Sequence, residues 1–112
     1  MKRIPLSVIA ATDTSAPLDY AEAIRTVIRQ PLDQSRGVNI EEMRKGIRIL
    51  DKLDASKDVL ELEDADWDHL KTKVEAMQWG MVDRHLLEFI DAVLTAGDPI
   101  RNGQVLEMPA RV

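Results

Sequence analysis

Apolar side chains recur every three to four residues in four separate segments of this chain, and prolines, glycines or polar breaks separate the segments. This period is that of an α-helix with one buried face, and it constrains the fold more than any other feature. The sequence therefore predicts a mainly α fold: a four-helix single domain with at most a small two-stranded β element. The predicted helices run from Pro17 to about Gln30, from Asn39 to about Leu53, from Asp64 to Gly80, and from Asp83 to Gly97.

The apolar positions within each predicted helix identify the face that we expect to be buried. The second helix has the clearest start signal, because Asn39 can cap it and Glu42 follows three residues later, as in a capping box. Gly46 lies inside that helix, where it costs about 1 kcal/mol relative to alanine; either a close helix crossing or simple tolerance of a weak position would explain it. In helix order, the predicted core residues are Tyr20, Ile24, Val27 and Ile28; Ile40, Met43, Ile47, Leu50 and Leu53; Trp67, Leu70, Val74 and Met77; and Leu86, Leu87, Ile90, Val93 and Leu94.

The length of 112 residues suits one ordinary domain and is too short for two. We predict an N-terminal arm over residues 1–16, a helical core over residues 17–97 and a C-terminal tail over residues 98–112. Residues 59–62 (VLEL) have the composition of a short strand, and residues 105–108 (VLEM) are a candidate partner for it. Whether these two segments pair stays open at this point.

The side chains that most often carry catalysis or hold metals are sparse or unsuitably spaced. The chain has no cysteine, which excludes disulfides, thiolate metal sites and a cysteine nucleophile. Its glycines are isolated, so the sequence contains no phosphate-binding loop, and no nucleophile elbow surrounds a serine. His69 and His85 lack ligand spacing and are predicted to be structural. We therefore predict no catalytic residue, no cofactor and no metal, and a protein that is not an enzyme.

One acidic stretch imitates a calcium site. Asp64, Asp66, Asp68 and Glu75 match four ligand positions of an EF-hand loop. The sixth position of such a loop is glycine, but here it is His69, and the apolar residues keep helical spacing through the same stretch. Acidic residues also favour the first turn of a helix, since they complement its dipole. The sequence thus favours a helix start over a calcium site.

Charge is distributed unevenly, although the whole chain has a net charge of −5. Residues 1–50 contain 8 basic and 6 acidic side chains, whereas residues 51–112 contain 7 and 14. The basic residues of the first half offer a positive face on the first two helices, as a small DNA-binding regulator requires. Against this alternative, the joint between these helices is longer than the turn of a helix-turn-helix. The alternative would use Arg25, Arg29, Arg44, Lys45 and Arg48.

A contact surface for another protein is the favoured functional hypothesis. Trp79 and Met81 lie around the predicted end of the third helix and the turn that follows it. Tryptophan and methionine are enriched in interface cores, and Trp79 stands beside Gly80, where it is not obliged to be internal. We predict that Trp79 and Met81 bind a partner, either another protein or a second copy. The alternative is that both residues close the core between two helices.

No segment predicts insertion into a membrane. The apolar stretch over residues 4–11 is interrupted by Pro5, and a spanning helix needs about 20 apolar residues. Lys2 and Arg3 before this stretch imitate a signal peptide, but polar residues follow from Thr12, too early for an export signal. We expect no membrane association and a cytoplasmic location.

Residues 60–71 (LELEDADWDHLK), continued by residues 74–79 and 86–94, resemble small proteins encoded by tailed phages and prophages. The opening residues 4–9 (IPLSVI) share the likeness, and the resemblance covers mainly residues 59–95. Some such proteins are assembly chaperones or connectors of virion parts, and others are small regulators. The resemblance implies a phage or prophage origin and an assembly or regulatory adaptor that contacts phage or host proteins. It carries over no catalytic or binding residue.

Overall fold

The fold combines four helices with two small antiparallel sheets. A computed structural model describes residues 1–33 and 35–96 of the chain. The sheets pair β1 with β4 and β2 with β3, so the fold is mixed α and β, whereas the sequence predicted at most one strand pair. In chain order the elements are β1 (Lys2–Pro5), β2 (Val8–Ile9), β3 (Leu18–Asp19), α1 (Tyr20–Arg29), α2 (Ile40–Asp54), β4 (Val59–Leu62), α3 (Asp64–Ala76) and α4 (Arg84–Leu94).

Helix α1 begins at Tyr20 and not at Pro17, the predicted start. Leu18 and Asp19 form β3, and this extended backbone pairs with β2, which excludes both residues from the helix. Asp19 then caps α1, because its carboxylate accepts hydrogen bonds from the backbone N–H groups of residues 21 and 22. The predicted core face is confirmed, since all four of its apolar residues are buried.

Helix α2 begins where the sequence predicts, but without a reciprocal capping box. Asn39 Oδ1 accepts a hydrogen bond from the N–H of Glu42 at 2.7 Å. The carboxylate of Glu42 does not return this bond. It accepts a hydrogen bond from the N–H of Leu32 at 3.1 Å and lies 3.0 Å from the ammonium of Lys73. The start signal therefore located the helix and did not reveal a buried ion pair.

The face that α2 turns toward the core differs from the predicted one. Because Gly46 has no side chain, α1 approaches closely there: a Cβ added to Gly46 would lie 3.2 Å from Ile28 Cγ2. Of the two explanations for this glycine, the structure favours the close crossing, which agrees with a rotation of α2 in which most of the predicted stripe faces outward. The buried residues are Gly46, Ile49 and Leu53, Leu50 is half-buried, and Ile40, Met43 and Ile47 are 71%, 55% and 51% exposed.

Strand β4 confirms the strand predicted over residues 59–62, and its partner is β1. The two strands are antiparallel, with Ile4 opposite Leu60. Ile4, Leu60 and Leu62 are all completely buried, so the segment predicted as an N-terminal arm contributes to the core. The candidate partner strand over residues 105–108 lies outside the described residues.

Helix α3 confirms the predicted third helix and ends earlier than expected. Glu63, not Asp64, occupies its cap position, and it makes no side-chain hydrogen bond there. The helix ends at Ala76, so Gly80, the predicted end, lies in the connection to α4. Of the predicted core residues, Leu70 and Val74 are buried and Trp67 and Met77 are half-buried.

Helix α4 begins at Arg84, and Asp83 caps it as predicted. Asp83 Oδ1 accepts a hydrogen bond from the N–H of His85 at 2.8 Å. The core face is built around Phe89, which is completely buried and is absent from the predicted stripe. Because residues two apart lie about 200° apart on a helix, burying Phe89 turns Leu87 outward, where it is 57% exposed. Of the other predicted core residues, Val93 is buried and Leu86, Ile90 and Leu94 are half-buried.

No helix within residues 1–33 and 35–96 is both long enough and apolar enough to cross a membrane. The longest of them, α2, has 15 residues, whereas about 20 are needed.

Candidate docking surface

Trp79 lies in the connection between α3 and α4, and part of its ring is anchored in the core. The rings of Trp79 and Phe89 meet edge to face, with centroids 6.4 Å apart and 74° between their planes. Phe89 in turn meets Tyr20 in the same geometry at 5.1 Å. Such pairs favour one ring orientation. The residue is nevertheless only half-buried, so the fixed ring keeps an accessible part.

The residues around Trp79 form an apolar cleft of about 410 Å³. Met81 is 59% exposed and Val82 is fully exposed. Contiguous exposed apolar side chains are uncommon in monomeric proteins and mark contact sites. The structure thus brings together Trp79 and Met81, the predicted pair, and adds residues that the sequence had not indicated or had placed in the core. The rest of the lining is Asp83, Arg84, Leu86, Leu87 and Ile90.

Hydrogen bonds between the N-terminal segment and the start of α4 hold this region in place. Asp83 Oδ2 accepts a hydrogen bond from the N–H of Ala16 at 3.0 Å. His85 Nδ1 lies 2.7 Å from the carbonyl oxygen of Ala16, and since a carbonyl only accepts, Nδ1 carries the proton. The bond from Ala16 is the largest influence that keeps the pKa of Asp83 below its usual range, and the N–H of His85 adds to it. His85 therefore contributes to holding the N-terminal segment against the start of α4.

The accessible charge at the cleft is positive. Arg84 is exposed and has no ion-pair partner among the described residues. Asp83, the other charged lining residue, already accepts hydrogen bonds from backbone N–H groups. A carboxylate that approaches the cleft would therefore meet an unpaired guanidinium beside apolar side chains.

The basic residues of the alternative DNA-binding hypothesis are partly compensated by neighbouring carboxylates. The ion pairs are Arg25 with Glu22 and Asp54 (2.9 and 2.8 Å), Lys45 with Glu41 (4.0 Å) and Arg48 with Asp66 (3.1 Å). Each pair lowers the positive charge that a phosphate would meet. Arg29 and Arg44 are exposed and have no ion pair within the described part of the chain.

A buried charged cluster, which the sequence did not reveal, connects α1, α2 and α3. Lys73 Nζ donates hydrogen bonds to the carbonyl oxygens of Ile28 and Gln30 at 2.7 and 2.6 Å, and it lies 3.0 Å from Glu42 Oε2. An ammonium group has three donors, and these three acceptors use all of them. Lys73 thus satisfies carbonyls at the C-terminal end of α1, where a cation is favourable. It is a structural group, because no N–H is left to bind or activate a ligand.

His69 lies beside this cluster. Its Nε2 is buried and has no hydrogen-bond partner among the described residues. Burial, followed by the charges of Lys73 and Lys45, lowers the pKa of His69. Burial alone would raise the pKa of Glu42, but hydrogen bonds from Lys73 and from the N–H of Leu32 outweigh it and hold that pKa below its usual range. The cluster therefore contains a neutral histidine and a charged pair near neutral pH.

The acidic residues that imitate a calcium loop lie in a continuous helix, α3. Asp66 is buried and pairs with Arg48, while Asp64 lies 3.7 Å from the ammonium of Lys2. A helix distributes these carboxylates around its axis and not around one ion. Within residues 1–33 and 35–96, no three metal-ligating side chains are grouped.

The cleft is where a fixed aromatic ring, exposed apolar side chains and an unpaired cation coincide on the described surface. The cleft therefore combines an accessible apolar surface with one positive charge. No family model matches the chain, and neither a curated protein nor a solved structure matches it.

Proposed function

We propose that this protein is a non-enzymatic protein–protein interaction module and that the cleft around Trp79 and Met81 is its docking site. One observation carries the proposal. The half-buried ring of Trp79 is held by Phe89. It lies beside apolar side chains that are more than half exposed, such as Met81 and Leu87. Covering this apolar surface is favourable by about 25 cal/mol for each Å² removed from water. Because the ring is already oriented, little conformational entropy is lost when it is covered.

The partner is a segment of another protein that inserts an apolar side chain and places a carboxylate next to it. The apolar lining selects the inserted side chain. Arg84 selects the carboxylate, since it is exposed beside the cleft without an ion pair in the described chain. Charge complementarity of this kind raises the association rate and discriminates between partners.

An assembly or regulatory adaptor is the role that such a surface supports. The described chain is small and offers a docking cleft, and its one buried lysine cluster is fully engaged in the fold. The likeness of residues 59–95 to phage and prophage proteins stays a prediction about origin. If it holds, the partners are phage or host proteins.

Selection from a library of displayed random peptides tests the site without a known partner. We expect the wild-type protein to enrich peptides that combine large apolar residues with Asp or Glu. Leu87→Glu should weaken their binding at least about tenfold, because it places a carboxylate in the apolar lining. Arg84→Glu should weaken it as well, because it repels the peptide carboxylate.

Ile47→Glu is the matched control for this selection. Ile47 is 51% exposed and Leu87 is 57% exposed, but Ile47 lies on α2 and does not line the cleft. We expect Ile47→Glu to bind the selected peptides as the wild type does. The proposal is wrong if no peptide is enriched, or if the peptides bind the Leu87→Glu and wild-type proteins equally well.

A mobility-shift assay at low salt separates this proposal from the DNA-binding alternative, since phosphate contacts are strongest there. We expect no complex with duplex DNA. A shifted band that disappears as the salt concentration rises would instead support the alternative that uses the basic residues of α1 and α2.

A further inference from the structure

Helix α2 carries an exposed apolar stripe that is separate from the docking cleft. Ile40, Met43 and Ile47 are all more than half exposed, and with Arg44 and Arg48 they line one shallow groove. All five residues belong to α2, so no other described element covers the groove. The spacing of three and then four residues is that of the contact positions in a coiled coil. The stripe therefore has the pattern of a surface that packs against another helix.

Two opposite charges lie along one edge of this stripe. Arg44 and Asp51 are seven residues apart, which places them about 20° apart around the helix and about 10 Å apart along it. Both are exposed, and neither has an ion-pair partner among the described residues. Arg48, by contrast, is already paired with Asp66. The edge thus presents one unpaired cation and one unpaired anion.

We propose that α2 packs antiparallel against α2 of a second copy of this chain. The two-fold axis runs between the two helices, perpendicular to both and level with the midpoint between Ile47 and Arg48. It reverses the chain direction and keeps each edge on its own side, and the two stripes meet at Ile47. Arg44 of each copy then meets Asp51 of the other, so two ion pairs form across the interface. A parallel arrangement would place this edge against the opposite edge and leave both charges unpaired. Charge complementarity therefore selects the antiparallel pair.

The size of the helix sets the strength of this contact. With 15 residues, α2 is about 22 Å long. A contact made only by the outer faces of two such helices buries less accessible surface than the roughly 1,200 Å² in total that the smallest stable interfaces bury. The dimer is therefore weak, and its population depends on protein concentration.

Sedimentation velocity of the full chain over a concentration series tests the proposal. Arg44→Asp and Asp51→Arg each replace two attractive contacts with two repulsive ones, so each should raise the dimer dissociation constant about tenfold. An equimolar mixture of the two variants regains both ion pairs in the mixed dimer. Its dissociation constant should return to within about threefold of the wild-type value, as should that of the double variant R44D/D51R.

Lys52→Glu is the matched control, because it reverses an exposed charge on α2 outside the stripe and should leave the dissociation constant unchanged. Recovery on mixing distinguishes a contact between copies from any effect within one chain. The proposal is overturned if the wild type stays monomeric throughout the series. It is also overturned if a dimer forms whose dissociation constant does not respond to the charge reversals, since the two copies then meet at another surface. Leu87→Glu should leave self-association unchanged, so this proposal and the docking cleft fail independently.

Discussion

Lys73 and Glu42 form a buried ion pair, in which Nζ lies 3.0 Å from Oε2 and the side chains are 3% and 10% exposed. The Lys73 ammonium also donates hydrogen bonds to the carbonyl oxygens of Ile28 and Gln30. One side chain of α3 therefore holds the end of α1 and the start of α2. Burying two charges is costly, and here every ammonium donor has an acceptor that offsets the cost. The packing of these three helices therefore depends on a contact between residues far apart in the sequence.

Removing the ammonium should destabilise the protein strongly. We expect Lys73→Met to lower the free energy of unfolding by about 3–5 kcal/mol, because Glu42 stays buried without its partner and two carbonyl groups lose their donor. Urea denaturation measures the difference. Lys52→Met, at an exposed position of α2, is the control and should change the value by less than about 0.5 kcal/mol. A loss below about 1 kcal/mol for Lys73→Met would show that the pair is not structural.

Stability should fall in two steps as the pH is lowered. The pKa of His69 is below its ordinary value of 6.5, so the unfolded chain binds a proton first and stability is lost as the pH falls below about 6.5. The pKa of Glu42 is below its ordinary value of 4.5. Its contribution is therefore present above about pH 4.5 and is lost as the pH falls through the lower pKa of the folded state.

Two substitutions separate these steps in urea denaturation from pH 7 to pH 3. His69→Leu should flatten the first step, and it should cost little because the buried Nε2 has no partner in the described chain. Glu42→Gln should flatten the second step. An unchanged slope between pH 7 and pH 5 in His69→Leu would contradict the assigned environment of this histidine.

The crossing at Gly46 should tolerate a methyl group and no more. Gly46→Ala gains up to about 1 kcal/mol of helix propensity, but its Cβ would lie 3.2 Å from Ile28 Cγ2, so we expect a net change within about 1 kcal/mol. Gly46→Val should lose about 1–3 kcal/mol through overpacking. Gly80→Ala is the control, since nothing lies within 4 Å of an added Cβ there. Thermal unfolding measures the stability of all three variants. If Gly46→Val is as stable as the wild type, α1 lies farther from Gly46 than in this structure.

The outward rotation of α2 can be tested by thiol labelling, because the chain has no native cysteine. At low protein concentration, Ile47→Cys should react with a thiol reagent nearly as fast as an unstructured peptide. Ile49→Cys should react orders of magnitude more slowly, because Ile49 is completely buried and labelling requires unfolding. Equal rates, or faster labelling at position 49, would show that the predicted stripe faces the core after all.

At α2 and α4, local signals predicted where the helix begins better than which face is buried. The caps at Asn39 and Asp83 depend on backbone groups within three residues, so the sequence contains what determines them. The face of α2 depends on its neighbours, since apolar residues lie on two sides of α2 and the close crossing with α1 at Gly46 favours one of them. The same holds for α4, where packing around Phe89 decides the rotation.

The candidate site was predicted only in part for the same reason. Trp79 and Met81 were identified from residue type at a helix end, which is a local property. Val82 lies in the same connection, and Leu87 joins them only because α4 turns it toward the cleft. Lys73 gave no signal, because its acceptors at Ile28, Gln30 and Glu42 come from two other helices and their connection.

Fluorine NMR of protein labelled with fluorotryptophan tests the central claim, that a protein segment docks at Trp79, most directly. The chain has two tryptophans, and Trp67 is an internal reference, because its Nε1 donates to the carbonyl oxygen of Val93 at 2.9 Å and it does not line the cleft. Titration with a peptide selected on the wild type should shift the Trp79 resonance and leave that of Trp67 in place. A peptide that binds while the Trp79 resonance stays unchanged would contradict the claim.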